Sequence, residues 1–268
     1  LSIIPKQNPQ KIIMKSFICY WLENRKNMEL NQVICGDCLE VMKDIPDKSI
    51  DMIFTSPPYN MRTRIRNGKY TTREKSEHFS KKYSNFDDAL PIDEFYDFHK
   101  KCINEMLRIS KIVIYNFQIV TGSKEAFFKI IGDFSKDIKD IIIWDKGFGQ
   151  PAMHEKVLNS SYEFILIMED DKKCGRVIQN STFKRGELQN ILRINRVNSK
   201  IKGHSAVFPL KLAETIIKNF SNENDTVLDC FAGSGTTAIA CINLNRNYIL
   251  IEKEPKYVNI IRERLKQI

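Results

Sequence analysis

No apolar run in the sequence approaches the roughly 20 residues that a membrane-spanning helix requires. The first thirty residues hold no long apolar core followed by a small-residue cleavage site, so a secretory signal is not expected. Cysteine is scarce and odd in number, seven in 268 residues. That fits a reducing, cytoplasmic setting better than a disulfide framework. Cys35 and Cys38 form one C-x-x-C, but no second pair or histidine stands at zinc-ligand spacing. Packing or solvent contact is the default reading for them, redox or metal chemistry the lesser one, and no metal site is expected. There is no internal repeat and no low-complexity tract.

What is present describes an ordinary globular chain, with 42% hydrophobic and 28% charged residues. Its length allows one large α/β domain or two small ones. The net charge of +9 is unevenly placed. Residues 61–82 hold eight Lys/Arg and two Glu, and residues 170–202 hold nine Lys/Arg and three acids, so each segment carries +6 and the rest sums to −3. A charge run is by default a solvated face. Two concentrated basic segments on a mildly acidic body favour a polyanion, because phosphate neutralisation dominates nucleic-acid affinity.

Short apolar runs alternate with helical periodicity, the pattern of a parallel sheet with crossover helices. Strands are expected at Gln32–Cys35, Ser49–Thr55, Lys111–Tyr115, Ile141–Trp144, Glu163–Met168, Thr226–Asp229 and Tyr248–Ile251. Helices are expected at Cys38–Asp44, Ile92–Ile109, Ser123–Phe134, Pro209–Asn219, Thr236–Asn243 and Pro255–Gln267. Met28 directly precedes the first strand, so residues 1–27 read as an ancillary extension and 28–268 as one domain. The basic segments, about 61–90 and 170–202, lack clear periodicity. Loops that long in a compact domain are usually functional or disordered.

Two stretches carry chemistry. In "DMIFTSPPYN", Asp51 to Asn60, an apolar strand ends in two prolines that cannot extend a sheet ladder. Ser56, Pro57, Pro58 and Tyr59 should form a stiff loop at a strand's carboxyl end, where open α/β sheets bind ligands. In "TVLDCFAGSGTTAIACINLNRNYILIEKEPKYV", a strand ends at Asp229, Gly233 and Gly235 permit a sharp turn, and a helix begins near Thr236. Glu252 ends the next strand, seventeen positions beyond Gly235, where an acid can reach a ribose diol. No lysine follows the glycines, so a nucleoside without phosphates fits better than a triphosphate. A tight turn with no ligand is the plain alternative.

Together, in this order, "TSPPY" and "DCFAGSGTT" resemble the amino-methylating DNA methyltransferases that use S-adenosylmethionine, in their permuted β class. The resemblance runs from about Asn31 to Leu265. It implies a Rossmann-like α/β fold with a seven-stranded, mostly parallel sheet, one antiparallel strand and a small inserted target-recognition region. It also implies S-adenosylmethionine as methyl donor, with no metal. By position it carries cofactor contacts to Asp229, Phe231, Gly233, Ser234, Gly235, Thr236, Thr237 and Glu252, although Cys230 stands where many members have Pro. Asp37, in "GDC", matches the position beside the adenine amino group, or it simply caps the following helix. "GHSAVFP" supplies His204, Ser205, Ala206 and Phe208, in a form that departs from the commoner H-P-x-x-K-P. "IIIWDKGFGQP" and "SSYEFILIM" resemble two later catalytic-domain segments, though Trp144 and Phe148 read as core aromatics by default.

The chemistry explains the first motif. A nucleobase amine is a weak nucleophile because its lone pair is delocalised into the ring, so it needs alignment and N–H acceptors. Ser56 Oγ and the Pro57 carbonyl can accept from the amine and stabilise the charge it gains, while Tyr59 offers a ring for stacking. The base must flip out of double-stranded DNA, at a cost of a few kcal/mol. Arg62, Arg64, Arg66, Lys172, Lys173, Arg176, Lys184, Arg185, Arg193 and Arg196 are candidate DNA contacts.

In the family, serine at the first motif position accompanies cytosine N4 and aspartate accompanies adenine N6, so Ser56 favours cytosine N4 with adenine N6 second. Cytosine C5 methylation is disfavoured, because its nucleophile follows a proline and no Pro-Cys occurs. RNA or protein amide methylation is a third reading, and a silent DNA-binding module a fourth. A restriction–modification context, a cognate endonuclease and a homodimer follow by analogy alone.

Overall fold

The computed structural model describes residues 28–66, 69–72, 89–150, 155–171, 175–196 and 209–268. The leading 1–27 segment and most of the 61–90 basic loop therefore lie outside the described residues. Strands β1 (Gln32–Cys35), β2 (Ile50–Thr55), β5 (Ser110–Phe117), β6 (Ile138–Gln150), β7 (Ser160–Met168), β8 (Ile191–Arg193), β9 (Thr226–Asp229) and β10 (Asn247–Glu252) form one sheet. Their order is β1-β10-β9-β2-β5-β7-β6-β8. A separate antiparallel hairpin pairs β3 (Thr63–Arg66) with β4 (Lys69–Thr72). Among the described residues, only β7 runs against the rest of the large sheet, antiparallel to both β5 and β6.

The sheet thus has eight strands where seven were expected. The extra one, β8, is three residues long and pairs in parallel with β6 through Ile143↔Ile191, Trp144↔Leu192 and Asp145↔Arg193. It is too short to show alternation, and tertiary pairing creates it within a segment that reads as a loop.

Helices α1 (Cys38–Lys43), α2 (Ile92–Ile109), α3 (Lys124–Asp133), α4 (Leu210–Phe220), α5 (Thr236–Asn243) and α6 (Pro255–Leu265) cover both faces. Central strands such as β2, "IDMIFT", are buried throughout because neither face meets water. Alternate residues serve opposite layers. Ile53, Val113, Tyr115 and Leu228 join Phe95, Ile103, Met106 and Phe127 of α2 and α3. Met52, Phe54, Ile114 and Val227 join Leu212, Ile216, Ala238 and Ile261 of α4, α5 and α6. In α2, Phe95, His99, Cys102, Ile103 and Met106 recur at helical spacing and are buried. Among the described residues, no helix is long and apolar enough to cross a membrane.

Candidate active site

The Ser-Pro-Pro-Tyr loop leaves the carboxyl end of β2, and the glycine turn leaves the carboxyl end of its neighbour β9. The two strands pair in parallel at Met52↔Val227 and Ile53↔Leu228, which puts both loops at one end of the sheet. Side chains also join them directly. Thr55 Oγ1 donates to Asp229 Oδ1 at 2.7 Å, and Thr237 Oγ1 donates to Asp229 Oδ2 at 2.6 Å. The Phe231 N–H donates to Asp229 at 3.1 Å. Burial raises the Asp229 carboxyl against these donors, so this acid is a structural clamp between the two loops.

The turn itself is built by backbone freedom. Gly233 and Gly235 have φ of 54° and 77°, the left-handed region glycine enters without penalty. A Cβ on Gly235 would also meet Ile261 Cγ2 at 2.9 Å, so α6 presses against the turn. Glu252 ends β10 with its oxygens accepting from the N–H groups of Gly233 at 2.8 Å and Glu254 at 2.9 Å. Burial raises its pKa and those two donors oppose the rise. The Thr236 hydroxyl at the start of α5 is buried without a hydrogen-bond partner among the described residues. An orphaned polar atom beside a glycine turn that also holds a carboxylate, Glu252, through the Gly233 N–H fits a nucleoside ligand.

Asp37 caps α1, accepting from Leu39 N–H at 3.0 Å, and its second oxygen faces Lys253 Nζ at 3.0 Å. The Phe231 ring meets Phe98 edge-on at 6.1 Å. Arg264 donates to the Ser234 carbonyl. His204, Ser205, Ala206 and Phe208 lie outside the described residues.

On the other loop, Pro57 and Pro58 are buried while Ser56 and Tyr59 are half-buried. Asn60 turns the chain at φ 58° and donates to the carbonyls of Leu90 and Gly122, both at 2.9 Å. Ser56 Oγ is hydrogen-bonded to the Tyr59 hydroxyl, which donates to Glu163 Oε2 at 3.2 Å. Burial, then the Glu163 charge, raise the Tyr59 phenol well above its ordinary value. Asn116 Nδ2 lies 2.6 Å from Tyr59 OH, 2.6 Å from Glu163 Oε2 and 3.3 Å from Ser56 Oγ. Glu163 Oε1 is 3.2 Å from Lys146 Nζ and 3.7 Å from Arg196. Burial lowers the Lys146 ammonium against the pull of Glu163.

Beneath the loop, His99 Nδ1 bonds Tyr115 OH at 2.6 Å, and burial pushes the histidine down to about 3.

Asn116, Lys146, Glu163 and His99 are absent from the candidates read from the sequence, although Lys146 and Glu163 fall within the two quoted later segments. The available signal is polar residues inside otherwise apolar strand runs, "KIVIYNF" and "SSYEFILIM".

The basic candidates divide. Arg193 ends β8 and Arg196 lies just beyond it, toward the motif end of the sheet, and Arg196 reaches Glu163. Arg62 lies just beyond the loop. Arg176 pairs with Asp140 at the start of β6. Thr182 bonds the end of α4 through Lys218 and Asn219. Arg176, Lys184 and Arg185 are thus not brought to the motif end. Arg64 and Arg66 contribute backbone to β3, and Lys172 and Lys173 lie outside the described residues. Cys35 is exposed and Cys38 buried. Among the described residues, no group of His, Cys, Asp or Glu could hold a metal.

A DNA methylase family model, the N6/N4 methyltransferases, matches residues 50–263. Type II methyltransferase M.HinfI of Haemophilus influenzae is 30% identical over 257 residues, spanning 89% of this chain and 69% of that protein. M2.MboI of Moraxella bovis is 29% identical, with 93% and 91% spanned. Among solved structures, the cytosine-N4-specific PvuII DNA methyltransferase shares the fold with a TM-score of 0.66 at 19% identity, covering 88% of this chain and 86% of that one. The M1.HpyAVI–SAM complex shares it with a TM-score of 0.54 at 24% identity, covering 87% and 98%.

Proposed function

The chain belongs to the N6/N4 methyltransferase family of DNA methylases, and from that premise we propose that it methylates the exocyclic N4 of cytosine in duplex DNA, as a β-class enzyme. S-adenosylmethionine, held at the glycine turn by Gly233, Gly235, Glu252 and the Thr236 hydroxyl, supplies an electrophilic methyl group on sulfur.

The chain's own residues do the rest. Ser56 Oγ and the Pro57 carbonyl accept the two N–H bonds of a flipped base, which directs the nitrogen lone pair toward the turn. Tyr59 carries the base on its ring, and the buried prolines fix the acceptors before substrate arrives. Arg62, Arg193 and Arg196 meet the phosphate backbone beside the flipped base. Adenine N6 is the second reading. Ser56 in place of an aspartate favours cytosine, as does the likeness of fold to the cytosine-N4-specific PvuII enzyme.

The observation that carries the proposal is the Thr55–Asp229 hydrogen bond, which welds the amine-binding loop to the cofactor turn at one end of the sheet. A restriction–modification setting, with a cognate endonuclease, is suggested by the Type II relatives. Methylome sequencing of cells expressing the protein tests the reading. One recurring DNA motif modified at cytosine N4 is expected, and a motif modified at adenine instead would transfer the assignment to N6.

A further inference from the structure

We propose that the proton shed by the target amine leaves through Ser56 and Tyr59 to the carboxylate of Glu163. The proposal rests on the methyl-transfer reading above, and holds for either target base.

The direction of the hydrogen bonds carries it. Tyr59 has one hydroxyl hydrogen, and its oxygen lies 3.2 Å from Glu163 Oε2 and in hydrogen-bond contact with Ser56 Oγ, where either hydroxyl can donate. With Tyr59 donating to the Glu163 carboxylate, Ser56 is the donor in their contact. Its own hydrogen then points away from the base, leaving a lone pair to accept from the amine. Asn116 holds the line in place, lying 2.6 Å from both Tyr59 OH and Glu163 Oε2 and 3.3 Å from Ser56 Oγ. An amide nitrogen has two hydrogens, so they serve the two shorter contacts and Ser56 keeps its acceptor capacity. A serine that only accepted from substrate would need none of this. Glu163 is 4% exposed, its Oε1 faces Lys146 and Arg196, and its Oε2 is turned to Tyr59 and Asn116.

The nitrogen lone pair forms the N–C bond while the methyl group's bond to sulfur breaks, with its electrons remaining on sulfur. The nitrogen, now cationic, passes a proton to Ser56 Oγ as Ser56 passes its own to the Tyr59 oxygen. Tyr59 passes its proton to Glu163 Oε2. Ser56 and Tyr59 end neutral, the amine ends neutral, and Glu163 becomes a carboxylic acid.

The titratable and charged groups facing Glu163, among the described residues, are Tyr59 on the loop, Lys146 on β6 and Arg196 beyond β8. The two basic side chains offset the charge of the buried carboxylate before transfer.

The test uses the full chain with S-adenosylmethionine and a duplex carrying its modified site. Tyr59→Phe keeps the ring and breaks the relay, and Glu163→Gln keeps the shape and removes the acceptor. Single-turnover rates should fall roughly a hundredfold in each, and the double variant should be no slower than the slower single. Cofactor binding by calorimetry, and flipping reported by a fluorescent base analogue, should stay at wild-type levels in Tyr59→Phe. Glu163→Asp, which keeps an acceptor, should recover part of the rate that Glu163→Gln loses. Wild-type rate in Tyr59→Phe, or Glu163→Asp no faster than Glu163→Gln, would overturn the relay while leaving methyl transfer standing. A wild-type protein that modifies no DNA would overturn both.

Discussion

At the scale of single residues, the site joins polar atoms of which several find partners far away in sequence, as Thr55 does in Asp229 and Tyr59 in Glu163. Ser56 and Tyr59 were legible because two prolines after a buried strand have few structural explanations. Glu163 and Asn116 were not, because they lie 104 and 60 positions from the loop residues they bond, and one sequence does not show which strands become neighbours. His99 reads from sequence as one more core position of an amphipathic helix. Its ring is fully buried and its pKa falls from 6.5 to about 3, because burial disfavours the charged form. Between those values the unfolded chain binds a proton that the folded chain refuses. The contribution to stability is whole above about 6.5 and is lost as pH falls toward 3. Urea unfolding of wild type and His99→Gln should therefore converge as pH drops from 7 to 4. The wild type should lose up to about 1.4 kcal/mol more per pH unit, and parallel curves would remove His99 from the balance.

At the scale of elements, hydrophobic runs and helical spacing place the large-sheet strands other than β6 and β8, and all six helices, to within a few residues, whereas β6 was expected at Ile141–Trp144 and runs from Ile138 to Gln150. Pro91 and Pro209 directly precede α2 and α4, Pro255 opens α6, and those boundaries are visible because proline fits a helix start and not its interior. The β3–β4 hairpin and β8 are different. Each strand is only three or four residues long and carries a basic residue, so nothing in their alternation separates strand from loop. The connection between loop and sheet also turns on glycine. A Cβ on Gly122 would meet Asn60 O at 2.3 Å and Thr63 Cβ at 2.7 Å, both near-rigid atoms at the foot of the motif loop. Gly122→Ala should cost about 1–3 kcal/mol in chemical unfolding and lower methylation more than cofactor binding. Unchanged stability would show that the loop has room to move.

At the scale of the whole molecule, the doubly covered sheet gathers its chemistry at one end and leaves basic residues at both. Total charge was legible from composition, but its division between the ends depends on how residues 170–196 wrap the sheet. Arg193 and Arg196 run to the motif end, while Arg176, Lys184 and Arg185 remain with the opposite one. Replacing Arg193 and Arg196 by Ala should flatten the dependence of DNA affinity on salt by about 0.9 in log–log slope for each lost phosphate contact. Replacing Lys184 and Arg185 should change it less. The reverse order would place the duplex on the other end of the sheet.

The central claim is that Ser56 and Tyr59 present a cytosine amine to a methyl donor held at the glycine turn. Purified protein, S-adenosylmethionine and unmethylated plasmid DNA, followed by mass spectrometry of the released nucleosides, test it most directly. N4-methylcytosine should appear with the wild type and fall sharply with Tyr59→Ala, although that variant still binds the cofactor. N6-methyladenine without N4-methylcytosine, or full yield from Tyr59→Ala, would contradict it.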